Sequence, residues 1–162
     1  MSRLNAASEL GSFLQDSIPL ARATEATVGE FDAQGLAMHA PLAPNSNHHG
    51  TAFGGSLYVV ALAAGWGLTH LLLQEAGIKA SLYVRRAEAE YLRPVTGDLN
   101  ALAERPDDAI LKRFINTFNA DGRAQLKVKI HINCDGVRAF ELDATIAALN
   151  ANSTPKKASN PT

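Results

Sequence analysis

Asn45-Ser-Asn47-His-His-Gly50-Thr-Ala-Phe53-Gly54-Gly55-Ser56 runs straight into Leu57-Tyr-Val-Val-Ala-Leu-Ala-Ala64, and this junction decides the fold. The first half is polar and glycine-rich, which reads as a loop. The second half is apolar on every side, the pattern of a helix buried all round. Ser56 or Gly55 falls where an N-cap belongs, so the first free N–H groups of that helix point back into the loop. Two glycines there let a ligand approach the backbone closely. Free donors and the helix dipole favour a partly negative oxygen at the same place. The glycines would equally serve tight packing of the helix against a neighbour. The helix is expected from about Gly54 to Glu75, with its stop at Gly77.

A helix apolar on all sides needs a wrapping larger than one other helix, and the flanking sequence supplies strands. On the N-terminal side, Leu4, Leu10, Phe13 and Leu14 mark a short amphipathic helix over 3–16, with Pro19 beyond its end. Residues 23–32 and 35–41 read as two strands joined by a turn at Asp32–Gly35, and Pro41 and Pro44 then end the pairing. On the C-terminal side, 81–94 is a long strand, and Thr96-Gly97-Asp98 turns it into a strand over 99–104. Asp107 is placed to cap a helix over 108–119, with Ile110, Phe114 and Phe118 on one face. In 123–134, Leu126, Val128, Ile130, Ile132 and Cys134 alternate with Gln125, Lys127, Lys129, His131 and Asn133, the clearest strand in the chain. Asp135-Gly136 signals a tight hairpin into a last strand over 137–149. The expectation is an α+β domain over 1–149, a mostly antiparallel sheet wrapped around a long central helix. Residues 150–162, polar with two prolines, are expected to form a flexible tail.

The bulk numbers exclude several classes. A chain of 162 residues suffices for one sizeable core. A formal net charge of −1 provides no global field for nucleic acid. One cysteine, Cys134, excludes an internal disulfide and fits a reducing compartment, and no Cys/His cluster has zinc spacing, so no metal is expected. Gly65 and Gly67 interrupt the apolar run of the central helix, which therefore reads as core and not as a membrane span. The first residues lack the apolar core of a signal peptide. A soluble, cytoplasmic protein is expected.

Asn45-x-Asn47 and Phe53-Gly54-Gly55-Ser56 at this spacing, followed by Ala64-Gly-Trp-Gly67, resemble the hot-dog domain of the YiiD C-terminal type. Tyr91-Leu-Arg93-Pro94-Val-Thr-Gly97-Asp98 is similar to the third-strand pattern of hot-dog proteins in general. The resemblance runs from about Ile18 to about Ala148. It implies a hot-dog fold whose protomers join their sheets edge to edge, as a homodimer or a dimer of dimers, with active sites between protomers. It implies a thioesterase or a malonyl-acyl-carrier-protein decarboxylase. The substrate would bring its own phosphopantetheine thioester, from acyl carrier protein or coenzyme A, with no further cofactor. The chain offers no room for the acetyltransferase domain to which some relatives are fused, so a free-standing form is expected.

The resemblance places a functional Asn at Asn47. Its carboxamide can donate to a thioester oxygen or hold a water; the alternative is a loop Asn satisfying its own backbone. Asn45 is expected to fix the loop. Gly54, Gly55 and Ser56 are expected to supply N–H groups to a thioester carbonyl. Ser56 has no nucleophile elbow around it and no base tied to it by spacing, so it reads as a cap and donor. His48 and His49 are the titratable groups of the loop, as a general base or as exposed residues at a pocket entrance. Thr51, Phe53 and Leu57 are expected beside the substrate. Arg85, Arg86, Arg93 and Arg113, with Lys112, would form a basic rim for coenzyme A phosphates or an acidic carrier protein. Leu57 to Gln74 carries no acidic residue; the first is Glu75. Hydrolysis needs a base for water, whereas decarboxylation needs the oxygen held and the carboxylate desolvated. Decarboxylation of a malonyl-carrier protein to its acetyl form is therefore the leading expectation. Thioester hydrolysis is the second, with His48, His49 or Glu88 and Glu90 of the partner subunit as base. A non-catalytic acyl-thioester binding dimer is the third.

Overall fold

The computed structural model describes residues 2–150. In chain order these form α1 (Arg3–Ser17), α2 (Pro19–Ala23), β1 (Thr27–Phe31), β2 (Gly35–Ala40), α3 (Gly54–Glu75), β3 (Ala80–Tyr91), β4 (Leu99–Glu104), α4 (Asp108–Asp121), β5 (Arg123–Cys134) and β6 (Val137–Asn150). The six strands make one antiparallel sheet in the order β1-β2-β4-β5-β6-β3. The expected α+β architecture, a sheet around a long central helix, is the one observed.

The alternation in β5 turns Leu126, Val128, Ile130 and Ile132 into the same buried cluster as Val60, Ala61, Ala64 and Leu68 of α3. Two glycines set how closely α3 can sit. A Cβ on Gly65 would lie 2.8 Å from Ile130 Cδ1, and one on Gly67 would lie 2.9 Å from Leu10 Cδ2 and 3.0 Å from Leu36 Cδ2. So α3 is pressed between the sheet and α1. Thr69, fully buried on this helix, satisfies its hydroxyl by donating to the Gly65 carbonyl at 3.0 Å. By length and hydropathy α3 passes for a membrane span, but 61% of its most apolar window is buried inside the fold, as in a core helix.

Some boundaries depart from expectation. Pro19 opens α2, because a proline at the first helical position lacks only an N–H that would be unpaired anyway. The expected strand from 23 therefore starts at Thr27, after Glu25 with φ 55°. β3 ends at Tyr91, short of Pro94; Leu92 and Arg93 both donate to the Ala139 carbonyl. Asp107 occupies the N-cap position of α4 without a side-chain cap bond, and Gly122 at φ 66° terminates the helix. Phe114 and Phe118 are buried but Ile110 is exposed. Cys134, expected in the core, is half-buried, with its Sγ 3.5 Å from Thr96 Oγ1. The hairpin forms at Asp135 and Gly136, both with positive φ. Of the expected tail, Asn150 ends β6, and 151–162 lie outside the described residues.

β3 pairs with β6 alone, so its other side is an open edge of 12 residues among those described.

Candidate functional site

Asn45 anchors the loop that enters α3. It is 2% exposed, and its Nδ2 donates to the carbonyls of Thr24 and Pro41, each at 2.8 Å. Its own carbonyl accepts the Phe53 N–H at 2.7 Å. One buried asparagine thus joins the α2 end and the β2 end through its carboxamide, and the helix entrance through its backbone carbonyl.

Asn47 closes the loop tip. Its N–H donates to the Thr51 carbonyl at 2.8 Å, and its carbonyl accepts from Gly50 at 3.0 Å. Its Oδ1 accepts the N–H groups of His49 at 2.9 Å and Thr51 at 3.2 Å. Its Nδ2 donates to Thr51 Oγ1 at 3.0 Å. The loop role therefore takes both carboxamide ends and leaves the second amide hydrogen without a partner among the described residues. That hydrogen is held in place by the other bonds. Thr51 acts on Asn47 in this structure.

The helix entrance differs from the sequence expectation in one respect. Phe53 is the N-cap, not Gly55 or Ser56. The N–H groups of Ser56 and Leu57 both donate to the Phe53 carbonyl, at 2.9 and 3.1 Å. Ser56 therefore has no free N–H to offer, because the first turn tightens onto its own cap. The N–H groups of Gly54 and Gly55 remain without partners among the described residues. Leu57, expected beside the substrate, is 4% exposed and belongs to the core.

Two aromatic rings stand over these glycines. A Cβ on Gly54 would lie 3.1 Å from Tyr91 Cε1, and one on Gly55 would lie 2.4 Å from Phe53 Cε1. Tyr91 Oη donates to the Gly54 carbonyl at 3.1 Å, and its ring meets Phe140 edge-on at 4.9 Å. Phe53 and Tyr91 are both more than half exposed. In the sequence Tyr91 is marked only as part of a strand motif, because its 37-residue separation from Gly54 hides the contact.

The rings of His48 and His49 lie 3.8 Å apart on the exposed loop tip. The arginines do not form one rim. Arg85 and Arg86 share a hollow of about 490 Å³ with Lys127 and Lys129, on exposed strand positions that alternate with the core residues. Register aligns Arg86, Thr145 and Lys127 in one row across the sheet, and Arg86 pairs with Glu88. Arg113, on α4, lines a separate hollow with Lys127. Arg93 alone lies beside the Tyr91 end, whereas Arg86 is five residues back along β3, about 17 Å by strand rise.

No carboxylate stands on α3 before Glu75 at its far end, where Glu75 pairs with Arg3 and Arg105, each at 2.7 Å. Burial pushes the Glu75 carboxyl up, but the hydrogen bonds and charges of Arg105 and Arg3 outweigh it and hold the group below the usual range. His70, half-buried on α3, is held below the ordinary imidazole value by desolvation. Among the described residues no three His, Cys, Asp or Glu side chains gather as a metal set.

A family profile described as "Putative thioesterase (yiiD_Cterm)" matches residues 7–150. A protein of unknown function from Chlorobaculum tepidum superposes with a TM-score of 0.89 at 28% identity, covering 92% of this chain and 97% of that one. A structure from Shewanella oneidensis described as a putative thioesterase gives 0.79 at 27% identity, covering 90% and 98%. A Haemophilus influenzae thioesterase, at 14% identity and a TM-score of 0.65 over 91% and 92%, shares the fold. The fold is the hot-dog fold.

Proposed function

The chain belongs to the family described as putative thioesterase, and from that premise we propose that it hydrolyses an acyl thioester whose carbonyl sits at the start of α3. The observation that carries this is the pair of N–H groups on Gly54 and Gly55, without partners among the described residues, at the positive end of a 22-residue helix. They would donate to the carbonyl oxygen as it gains charge, with the second amide hydrogen of Asn47 as a further donor. Water attacks the carbonyl carbon, the carbon–sulfur bond breaks, and the thiolate leaves to take a proton. Phosphopantetheine of coenzyme A or of an acyl carrier protein supplies that thiol. Since α3 carries no base near its start, water activation falls to His48 or His49, or to Glu88 or Glu90 of the partner subunit.

The open β3 edge supports a homodimer, or a dimer of dimers, since a long unpaired edge invites another strand. A monomer in sedimentation at micromolar concentration would contradict this.

The lack of a carboxylate along Leu57 to Gln74 favours a second reading, decarboxylation of a malonyl thioester. There the same donors would hold an enolate-like oxygen, and a nearby carboxylate would repel the substrate. Incubation with acyl-coenzyme A thioesters and malonyl-carrier protein, with products followed by mass, separates the two. Hydrolysis releases free thiol; decarboxylation gives acetyl-carrier protein and carbon dioxide with the thioester intact. No change with any substrate would leave a binding protein.

A further inference from the structure

β3 carries a β-bulge where it pairs with β6. Val84 lies opposite Ile146 and Arg86 opposite Thr145, so Arg85 has no counterpart on the partner strand. The extra residue changes which positions of β3 face α3. Before it, Leu82 packs on the core and Val84 lines a groove with residues of α3; after it, Ala87 and Ala89 pack on the core. Two consecutive arginines therefore stand on the outer face of the sheet, where unbroken alternation would turn one of them towards the helix. Arg85, Arg86, Lys127, Lys129 and Thr145 line the hollow of about 490 Å³ on that face. Glu88 pairs with Arg86, and register sets Asp143 opposite Lys129. Arg85 and Lys127 have no ion pair among the described residues.

The positive excess is narrow. The row Lys127–Thr145–Arg86 crosses three strands, about 10 Å. One step along the strands, about 7 Å away, the row Lys129–Asp143–Glu88 carries two carboxylates, and the next, His131–Glu141–Glu90, carries two more. On the other side, Gln125, Ala147 and Tyr83 carry no charge. A nucleic acid or an anionic membrane would set negative charge against those carboxylates, whereas a small anion meets the cations alone. We propose that this hollow binds the diphosphate of a small molecule, at a site separate from the start of α3. Arg85 and Arg86 hold its oxygens as planar guanidinium forks, Lys127 adds a point charge across the row, and Thr145 places a hydroxyl between them. Arg86 has five N–H donors and gives one to Glu88, so that pair leaves donors for the ligand. The bound anion also offsets the repulsion between the two guanidinium groups that the bulge sets side by side.

The test titrates the full chain with pyrophosphate in a calorimeter at constant ionic strength, with ADP as a second probe and ¹⁵N amide spectra alongside. Saturable binding of pyrophosphate is expected, with the Arg86 and Thr145 resonances moving and those of Gly54 and Gly55 still. Arg85→Gln and Lys127→Gln should each weaken binding about tenfold. Arg113→Gln, in the separate hollow on α4, should leave it unchanged. All three positions are exposed, so the variants keep the fold, and thermal melting checks this. Tighter binding of ADP would assign the diphosphate to a nucleotide, with its base against Tyr83, which lines the adjoining hollow with Arg85 and Gln125. Equal affinities would assign the site to the diphosphate alone. Wild-type protein without saturable binding of either probe would overturn the proposal, and so would an equal loss in all three variants, the mark of a diffuse field. Displacement of pyrophosphate by coenzyme A with movement of Gly54 would return these cations to the thioester and overturn a separate site.

Discussion

Gly54 and Gly55 stand at one end of α3, Gly65 and Gly67 near its middle, and the two sets do opposite things. Gly65 and Gly67 are buried, and what a side chain would meet there is Ile130, Leu10 and Leu36, the packed interior. Gly54 and Gly55 are half-buried, and what a side chain would meet there is the exposed rings of Tyr91 and Phe53. Both absences of Cβ bring something close to the helix. In the middle it is the core, and the gain is stability. At the start it is a surface entrance with two donors unpaired among the described residues, and packing gives no account of those.

That difference yields an ordered set of expected outcomes. The largest is at the start. Gly55→Val puts a branched side chain over the free donors, so thioester turnover should fall on the order of 100-fold, about 3 kcal/mol. The exposed Phe53 ring can swing away, so the denaturation midpoint should barely move. A variant with normal turnover would show that the start is packing after all. Gly67→Ala should do the reverse. Overpacking against Leu10 and Leu36 costs about 2 kcal/mol, partly offset by about 1 kcal/mol of helix propensity. Urea unfolding should show a net loss of about 1 kcal/mol with turnover per folded molecule unchanged. Tyr91→Phe removes one exposed hydrogen bond to the Gly54 carbonyl, worth about 1 kcal/mol or less, and should change turnover only a few-fold. A loss as large as that of Gly55→Val would make the tyrosine hydroxyl part of the chemistry.

The smallest effect concerns pH, one turn beyond Gly67. Burial favours neutral His70 in the folded chain. The unfolded chain therefore binds more protons as pH falls below about 6.5. His70 stabilisation is complete above that value and declines as pH drops towards the lower folded-state value. Glu75, held low by Arg105 and Arg3 after its burial cost, adds a second loss at more acid pH. Melting from pH 7.5 to 5 should show the decline, and His70→Phe should flatten its upper part. An unchanged profile in that variant would remove His70 from the account.

Much of this was legible in the sequence where the signal is local. Glycine and apolar continuity set α3 to its observed bounds, the period-two alternation set β5, and Asp135-Gly136 set the hairpin. The cap was misplaced by two or three residues, because a Phe cap makes no side-chain bond and leaves no compositional mark. The role of Gly65 and Gly67 was invisible because their neighbours come from α1, β2 and β5. The contact of Tyr91 with Gly54, and the separation of Arg93 from Arg86, depend on the length and register of β3. Tertiary geometry decides such points, and spacing along the chain does not encode it. Asn47 illustrates both limits. Its two readings, loop closure and donation, are not exclusive, since one amide hydrogen closes the loop and the other is left over.

The central claim is that the Gly54 and Gly55 N–H groups receive the thioester oxygen. The direct measurement is the backbone amide spectrum of ¹⁵N-labelled protein during titration with an acyl-coenzyme A ketone analogue, in which a methylene replaces the thioester sulfur, with the Asn47 side-chain amide followed alongside. The account predicts that Gly54 and Gly55 resonances move downfield in proton shift, together with one of the two Asn47 amide hydrogens, while Gly65 and Gly67 stay still. Saturable binding of the analogue with Gly54 and Gly55 unmoved would contradict it.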